Sequence, residues 1–254
     1  MDFQIKVAGK SISIHPFFAQ TADFFHSYME EDQALDQADL HICTTPSDIE
    51  AELEYVKAER NKDTADGSPL PGILELEYFS ILRKIAEAMP SYDTFLMHGS
   101  VIETNGFAYM ITAPSGTGKT TRTKIWLEEI PNSRVINGDK PLLRVEDHQV
   151  YACGTPWCGK EGWNTNTEAP LRAIFLLERI DEGKEAELTE LTFSQAFPTL
   201  LQQTYRPRDP EAMVKTLHLL KTLDGVVKIY RFRSAPTRGA VVAAYEMVNQ
   251  GTVP

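Results

Sequence analysis

The chain has 254 residues, 42% hydrophobic and 24% charged, which is long enough to bury one large core or one large and one smaller core. Its formal net charge of −11 repels phosphate backbones and anionic lipid headgroups, so nucleic acid and membrane surfaces are not expected partners. Binding of an anionic nucleotide would require a local phosphate-binding motif that overcomes the repulsion from this net negative charge. No apolar run is long enough to span a bilayer and no signal-peptide pattern begins the chain, so we expect a cytoplasmic protein.

The first third of the sequence predicts a mixed α+β region, residues 1–92, without evident catalytic chemistry. Residues 3–14 alternate between apolar and polar side chains, which predicts a β-hairpin that turns at Gly9-Lys10. Residues 55–71 are polar and end in turn-forming residues, which predicts a loop. Residues 74–89 carry apolar side chains at helical spacing and precede a proline, so they predict a helix that ends there.

From residue 95 onward, short apolar runs alternate with glycine-containing turns and helical patterns. This alternation predicts an α/β domain over residues 93–254. The predicted strands are 95–104, 107–113, 133–138, 142–145, 150–154, 173–179 and 225–232, and the predicted helices are 119–129, 194–204, 210–223 and 237–249.

A phosphate-binding motif lies between the second of these strands and the first of these helices. The sequence APSGTGKT at 113–120 matches the Walker A pattern, except that Ala113 replaces the first glycine. Glycines let backbone N–H groups turn toward an anion, and the helix N-terminus adds partial positive charge. The alternative is a glycine turn that only starts a helix. The residues predicted to bind the nucleotide are Ser115, Gly116, Thr117, Gly118, Lys119, Thr120 and Thr121.

A carboxylate suited to metal binding follows at Asp139, at the end of a predicted strand. One short helix and one strand separate it from Lys119, which returns the chain to the phosphate loop. Asp139 and the Thr120 hydroxyl are therefore the candidate Mg²⁺ ligands. The alternative is an acid in an ordinary Gly-Asp turn. The acid is followed by Lys140, whereas ordinary P-loop ATPases often have Glu after the Walker B acid.

Three segments together resemble the catalytic domain of the HPr kinase/phosphorylase family, which shares a P-loop fold with phosphoenolpyruvate carboxykinase. They are Met97-His98-Gly99-Ser100, the loop at 113–121 and Gly138-Asp139. The resemblance implies an ATP- and Mg²⁺-dependent kinase in which Lys119 and Thr120 bind phosphate and metal. It also implies that Asp139 is a metal ligand or the base for the acceptor hydroxyl, and that His98 lines the phosphate site. The bifunctional relatives are oligomers, so a homo-oligomer is also implied.

The sequence departs from the family at two places. The family usually has two adjacent acids at the strand end, whereas this chain has Gly138-Asp139, so either one acid performs both tasks or another residue takes one. The Glu-Arg-Gly segment of the bifunctional enzymes is replaced by the segment 154–160, which argues against reverse phosphorolysis. The chain is also too short for a full carboxykinase, and we reject that activity.

The segment 154–170 is rich in glycine, asparagine, threonine and tryptophan, and loops of this kind often carry function. Lys160 is the residue in it that we expect to neutralise charge on the transferring phosphoryl group. The alternative is a solvated loop anchored by Trp157 and Trp163.

The sequence therefore predicts a P-loop kinase of the HPr kinase and carboxykinase type with an α+β N-terminal region. Asp139, His98, Lys119 and Lys160 are its predicted catalytic residues, and the acceptor is a hydroxyl, most simply Ser or Thr of a peptide or small protein. Two alternatives stay open. One is a kinase of a small metabolite hydroxyl such as free serine, and the other is a nucleotide-dependent regulatory module without catalysis.

Overall fold

The computed structural model describes residues 2–30, 35–62, 69–181 and 183–250. The chain divides into two compact units, Met1–Ala88 and Met89–Pro254. Within the described ranges, no helix combines the length and the apolar character that crossing a membrane requires.

The first unit contains a three-stranded sheet and two α-helices. Strands β1 (Phe3–Val7) and β2 (Lys10–His15) form an antiparallel hairpin, and β3 (Leu40–Cys43) pairs parallel with β2. Helices α1 (Pro46–Lys62) and α2 (Ile73–Ala88) follow, and a 3-10 helix precedes β3. The predicted hairpin and the predicted helix at 74–89 are both confirmed.

Two expectations for this unit are wrong in detail. Val7 pairs with Lys10, so the hairpin turns at Ala8-Gly9, one residue earlier than the sequence suggested. The predicted loop at 55–71 is helical as far as Lys62, while residues 63–68 lie outside the described part of the chain. Helix α1 reads as polar because it exposes most of its surface: over residues 46–58, only Ile49 and Glu52 are buried.

A buried carboxylate organises the packing of α2 in this unit. Glu77 is fully buried and accepts hydrogen bonds from the backbone N–H groups of Phe17 and Phe18. It also accepts from the hydroxyls of Thr21 and Thr44. Because a buried carboxylate is stable only when its oxygens are satisfied, these four donors tie α2 to the segments around β3 and the 3-10 helix.

The second unit is a mixed α/β domain around a nine-stranded sheet. Its strands are β4 (Thr94–Leu96), β5 (Ser100–Thr104), β6 (Phe107–Thr112), β7 (Ser133–Asn137), β8 (Leu142–Glu146), β9 (Gln149–Cys153), β10 (Glu168–Arg179), β11 (Glu187–Glu190) and β12 (Lys228–Ser234). Its helices are α3 (Lys119–Glu129), α4 (Phe193–Gln203), α5 (Pro210–Lys221) and α6 (Arg238–Asn249). The strand order is β4-β8-β9-β10-β6-β5-β7, with β12 paired to β10 and β11 to β12.

Helices cover both faces of this sheet, and the long strand β10 alternates between the two cores. Ile174 and Leu176 pack in the core that includes residues of α4 and α5. Phe175 and Leu177 pack in the core that includes residues of α3 and α6. This period-two alternation is what a strand buried on both faces requires, and it accounts for the nearly continuous apolar run in the sequence.

Strand direction brings three loops of this unit to one edge of the sheet. β5 runs antiparallel to both β6 and β7, so the residues before β5 lie at the edge where β6 and β7 end. The strands β10 and β12 run parallel with β6 along this part of the sheet and end at the same edge. The candidate site residues before β5, after β6 and after β7 therefore meet although they are distant in sequence.

We expect Glu77→Gln to lower the free energy of unfolding of the first unit by about 2 kcal/mol. The amide N–H₂ group would replace a carboxylate oxygen that now accepts hydrogen bonds, and it cannot accept them itself. Urea unfolding followed by far-UV circular dichroism measures this change in free energy. The matched control is Glu50→Gln on the exposed side of α1, which should leave the transition unchanged. Equal transitions for the two variants would contradict the role given to Glu77.

Candidate functional site

The glycine-rich loop at 113–118 joins the end of β6 to the start of α3. Gly116 and Gly118 have φ angles of 77° and 101°, a backbone region that glycine adopts without strain. Gly118 is also the N-cap of α3, and no described side chain caps it. The first-turn N–H groups of the helix are therefore left for an anion, which is the arrangement that favours phosphate binding at a helix N-terminus.

Lys119 begins α3, and its side chain turns back over this loop. It is 9% exposed, and its Nζ donates to the carbonyls of Ala113 at 2.8 Å and Pro114 at 3.3 Å. Burial lowers the pKa of Lys119, while the nearby charge of Asp139 acts in the opposite direction. A largely buried ammonium held by neutral carbonyls beside open helix N–H groups is well suited to an anionic ligand.

The other predicted nucleotide-binding residues occupy the loop and the first turn of α3. The Thr117 hydroxyl donates to the Pro114 carbonyl at 2.9 Å and so stabilises the turn. Ser115 and Thr121 are exposed, and Thr120 is partly buried directly after Lys119. A Cβ added at Gly116 would meet no atom within 4 Å, so space is open above the loop.

Asp139 follows β7, and side chains engage both of its carboxylate oxygens. The Nε2 of His98 lies 3.1 Å from Oδ1, and Lys140 Nζ forms an ion pair with Oδ2. His98 is itself oriented by Gln203 at the end of α4. Its Nδ1 lies at hydrogen-bond distance, 2.9 Å, from Gln203 Oε1, and its backbone N–H donates to the Gln203 carbonyl at 2.8 Å.

The electrostatic balance at Asp139 favours the ionised form. Burial alone would raise its pKa, but the hydrogen bond from His98 and the charge of Lys140 outweigh burial and hold the pKa well below its ordinary value. Asp139 is therefore a carboxylate throughout the physiological pH range, which suits a metal ligand or a hydrogen-bond acceptor.

The buried amide of Asn137 fixes the backbone that presents Asp139. Its Oδ1 accepts from the N–H groups of Asp139 at 2.8 Å and Lys140 at 2.7 Å. Its Nδ2 donates to the carbonyls of Thr155 at 3.0 Å and Trp157 at 3.2 Å. One fully buried side chain therefore holds the turn after β7 and the loop after β9 together.

The loop after β9 reaches the site through its backbone. A Cβ added at Gly159 would lie 3.2 Å from Cβ of Asp139, so the loop packs closely against this residue. Lys160 is the next residue, and its side chain is exposed. Among the described residues, no hydrogen bond or ion pair joins Lys160 to Asp139, His98 or Lys119. The cation that the structure does bring to Asp139 is Lys140.

The donor set fits a metal that shares its ligands with a phosphate. Within the described ranges, no group of three or more His, Cys, Asp or Glu side chains could hold a metal ion. Mg²⁺ commonly takes one or two protein oxygens and completes its shell with phosphate oxygens and water. Asp139 and the Thr120 hydroxyl are such oxygens, although Oδ2 of Asp139 would have to exchange Lys140 for the metal.

No family model matches the sequence, and a search of curated proteins gives no match. Among solved structures, the Hpr(Ser) kinase/phosphatase from Coxiella burnetii is similar over 61% of this chain and 95% of that chain. The identity is 7% and the TM-score is 0.35, which is a coarse α/β resemblance and carries no argument about function. The functional argument therefore rests on the chemistry of the site.

Three residues of the site escaped the sequence-based prediction. Lys140 was visible beside Asp139, but its spacing gave no sign that its ammonium would turn back to the neighbouring carboxylate. Asn137 looked like an ordinary strand residue. Gln203 lies 105 residues from His98 in sequence, and no local pattern connects the two.

We expect Asp139→Asn to reduce stability at neutral pH, because Lys140 would lose its counter-ion and His98 would lose its carboxylate hydrogen-bond partner. The pKa of Asp139 is lowered on folding, so its contribution is present above the unfolded-state value of about 3.9 and is lost as pH falls through the lower folded-state value. The stability difference between wild type and Asp139→Asn should therefore shrink in acid. Urea unfolding over a pH series measures it.

The control for this series is Asp147→Asn, at an exposed turn residue with a positive φ that asparagine tolerates. It should match wild type at each pH. A difference between wild type and Asp139→Asn that stayed constant into strong acid would contradict the charge-based account.

Proposed function

We propose that this protein is an ATP- and Mg²⁺-dependent kinase that transfers the γ-phosphoryl group to a hydroxyl, that of Ser or Thr in a peptide or small protein. In this proposal, residues 93–254 form a P-loop core of the HPr kinase and carboxykinase type. The loop 113–118 is its phosphate-binding loop.

One observation carries the proposal: His98 before β5, Lys119 at the start of α3 and Asp139 after β7 meet at one edge of the sheet. The Asp139 carboxylate is hydrogen-bonded to His98, and the charge of Asp139 acts on the Lys119 ammonium. A buried lysine at a glycine-rich helix N-terminus, facing an ionised carboxylate, is the combination that phosphoryl transfer uses for positioning and charge stabilisation. A turn that merely started a helix would have no need of this carboxylate.

The residues then take the following roles. The loop N–H groups, the N-terminus of α3 and Lys119 hold the phosphates, with Ser115, Thr117 and Thr121 at the rim. Thr120 and Asp139 supply the protein oxygens for Mg²⁺, which when bound neutralises phosphate charge. His98 keeps Asp139 in place and lies at the phosphate side of the site.

The lowered pKa of Asp139 limits what it does as a base. A strongly ionised carboxylate accepts a hydrogen bond well but takes a proton poorly. Because the transition state of phosphoryl transfer is loose, orienting the acceptor hydroxyl matters more than removing its proton early. In this proposal a single acid is sufficient to orient the hydroxyl. The second acid that the HPr kinase family usually has at this strand end is therefore not required for transfer.

A non-catalytic regulatory module remains the second candidate, because both oxygens of Asp139 are already engaged, one by His98 and one by the Lys140 ammonium. In that function, nucleotide binding would change a partner surface and no transfer would occur. A small metabolite hydroxyl is an alternative acceptor for the same kinase site. A survey of phosphorylated products by mass spectrometry separates protein from metabolite acceptors.

We expect Lys119→Met to weaken binding of Mg·ATP at least about tenfold, because a charge-assisted phosphate contact is lost. Asp139→Asn, which removes one proposed Mg²⁺ ligand, should weaken Mg·ATP less than Lys119→Met does but lower transfer to hydroxyl acceptors on the order of 100-fold. Calorimetry and γ-labelled ATP measure the two effects. Normal ATP binding by wild type without transfer to any acceptor would contradict the kinase and favour the regulatory module.

Substituting Lys140 and Lys160 one at a time shows which of these two cations contributes to phosphoryl transfer. We expect Lys140→Met to reduce the rate of transfer about tenfold or more, because its ammonium is already at the Asp139 carboxylate and its charge acts on Lys119. Lys160→Met tests the residue that the sequence favoured. If Lys160 moves onto the phosphoryl group during transfer, its substitution lowers kcat; an unchanged kcat would remove Lys160 from the catalytic set.

A further inference from the structure

Behind the glycine-rich loop lies a buried arginine that the proposed kinase mechanism does not use. Arg122, on the first turn of α3, is 1% exposed. Its Nη1 donates to the Gly118 carbonyl at 3.3 Å, its Nη2 to the Ser234 carbonyl, and its Nε to the Ser234 hydroxyl at 3.4 Å. These acceptors belong to the loop and to the end of β12.

All these partners of Arg122 are electrically neutral. Within the described part of the chain, no carboxylate lies at ion-pair distance from its guanidinium. Burial lowers the pKa of Arg122, and the charge of another cation, Arg179 at the end of β10, lowers it further. A buried cation without a counter-ion is costly, and a folded protein normally pairs it.

The guanidinium is also tightly coupled to the loop. A Cβ added at Gly118 would lie 2.6 Å from Nη1 of Arg122, so the arginine occupies the space behind this glycine. The Gly118 carbonyl accepts from both the backbone N–H and the side chain of Arg122. The positive charge therefore lies one hydrogen bond behind the backbone that would surround the phosphates.

We propose that Arg122 is the buried counter-charge for the polyphosphate bound by the loop 113–118, acting through the loop without touching the ligand. Arg122 is a positioning residue, and the bound polyphosphate supplies the negative charge that balances its guanidinium. The proposal rests on the proposed function, because it requires the loop to bind polyphosphate. It also gives the chain, with its net charge of −11, a source of positive potential at the loop in addition to Lys119.

A charge-based role differs measurably from a purely structural one. A unit charge acting on one ligand charge over roughly 10 Å at an effective dielectric constant of about 20 changes affinity on the order of tenfold, and its effect on more distant ligand charges is smaller. Loss of Arg122 should therefore weaken ligands in proportion to their charge. If Arg122 only held the loop in place, its loss would weaken all ligands of the loop equally.

The test uses calorimetry of the full chain with adenosine, AMP, ADP, ATP and inorganic tripolyphosphate. We expect Arg122→Met to weaken ATP and tripolyphosphate on the order of tenfold or more, ADP less, AMP least, and adenosine not at all. Arg122→Lys keeps the charge and should restore most of the affinity. Unchanged ATP affinity in Arg122→Met, an equal loss for adenosine and ATP, or no rescue by lysine would overturn the proposal.

A second pair of variants tests the same idea with Arg122 in place. The Ser234 hydroxyl lies 3.4 Å from both Nε and Nη2, so Ser234→Asp would give Arg122 an internal counter-ion. We expect it to raise Tm above that of the uncharged control Ser234→Asn and to weaken ATP at least fivefold relative to that control, a ratio on the scale of one buried charge pair. Equal ATP affinity in the two variants would overturn the proposal.

Failure of this proposal is distinguishable from failure of the proposed function. If wild type binds neither ATP nor tripolyphosphate, the phosphate-binding loop itself is wrong, and the role of Arg122 falls with it. If wild type binds both and the Arg122 and Ser234 variants show no charge dependence, only the role of Arg122 is wrong.

Discussion

The antiparallel pairing of β5 with both β6 and β7 is the constraint on which the site depends. Because β5 runs against its two neighbours, the segment that enters it lies beside the segments that leave them. His98 precedes β5, Lys119 lies beyond β6, and Asp139 lies beyond β7. A different direction of β5 would leave Asp139 and His98 at opposite edges of the sheet, and the hydrogen bond between them would not form.

The site is built by compensating charges at several depths. Asp139 is kept ionised by His98 and Lys140 against the effect of burial. Lys119 is more deeply buried and is held by loop carbonyls, and Arg122 lies behind the loop with neutral acceptors. Lys119 and Arg122 therefore place two positive charges at the glycine-rich loop of a chain whose formal net charge is −11.

Part of the fold was predictable because local sequence patterns dominate there. The hairpin at β1 and β2 and the helix α2 follow from alternation and helical spacing, and the strand–loop–helix unit around 113–120 follows from the glycine motif. Helix α1 was missed because its exposed, polar surface has the composition of a loop. The strand β11 was also missed, since it is a short edge strand whose side chains are mostly exposed.

The sequence by itself determined the α/β character of the second unit and the glycine-rich loop with its lysine. Only the tertiary structure decided which distant groups meet: Gln203 with His98, Asn137 with the turn at Asp139, and Arg122 with Ser234. Periodicity and local motifs report on neighbours along the chain. Contacts across strands and helices depend on strand direction and packing, which no short stretch of sequence encodes.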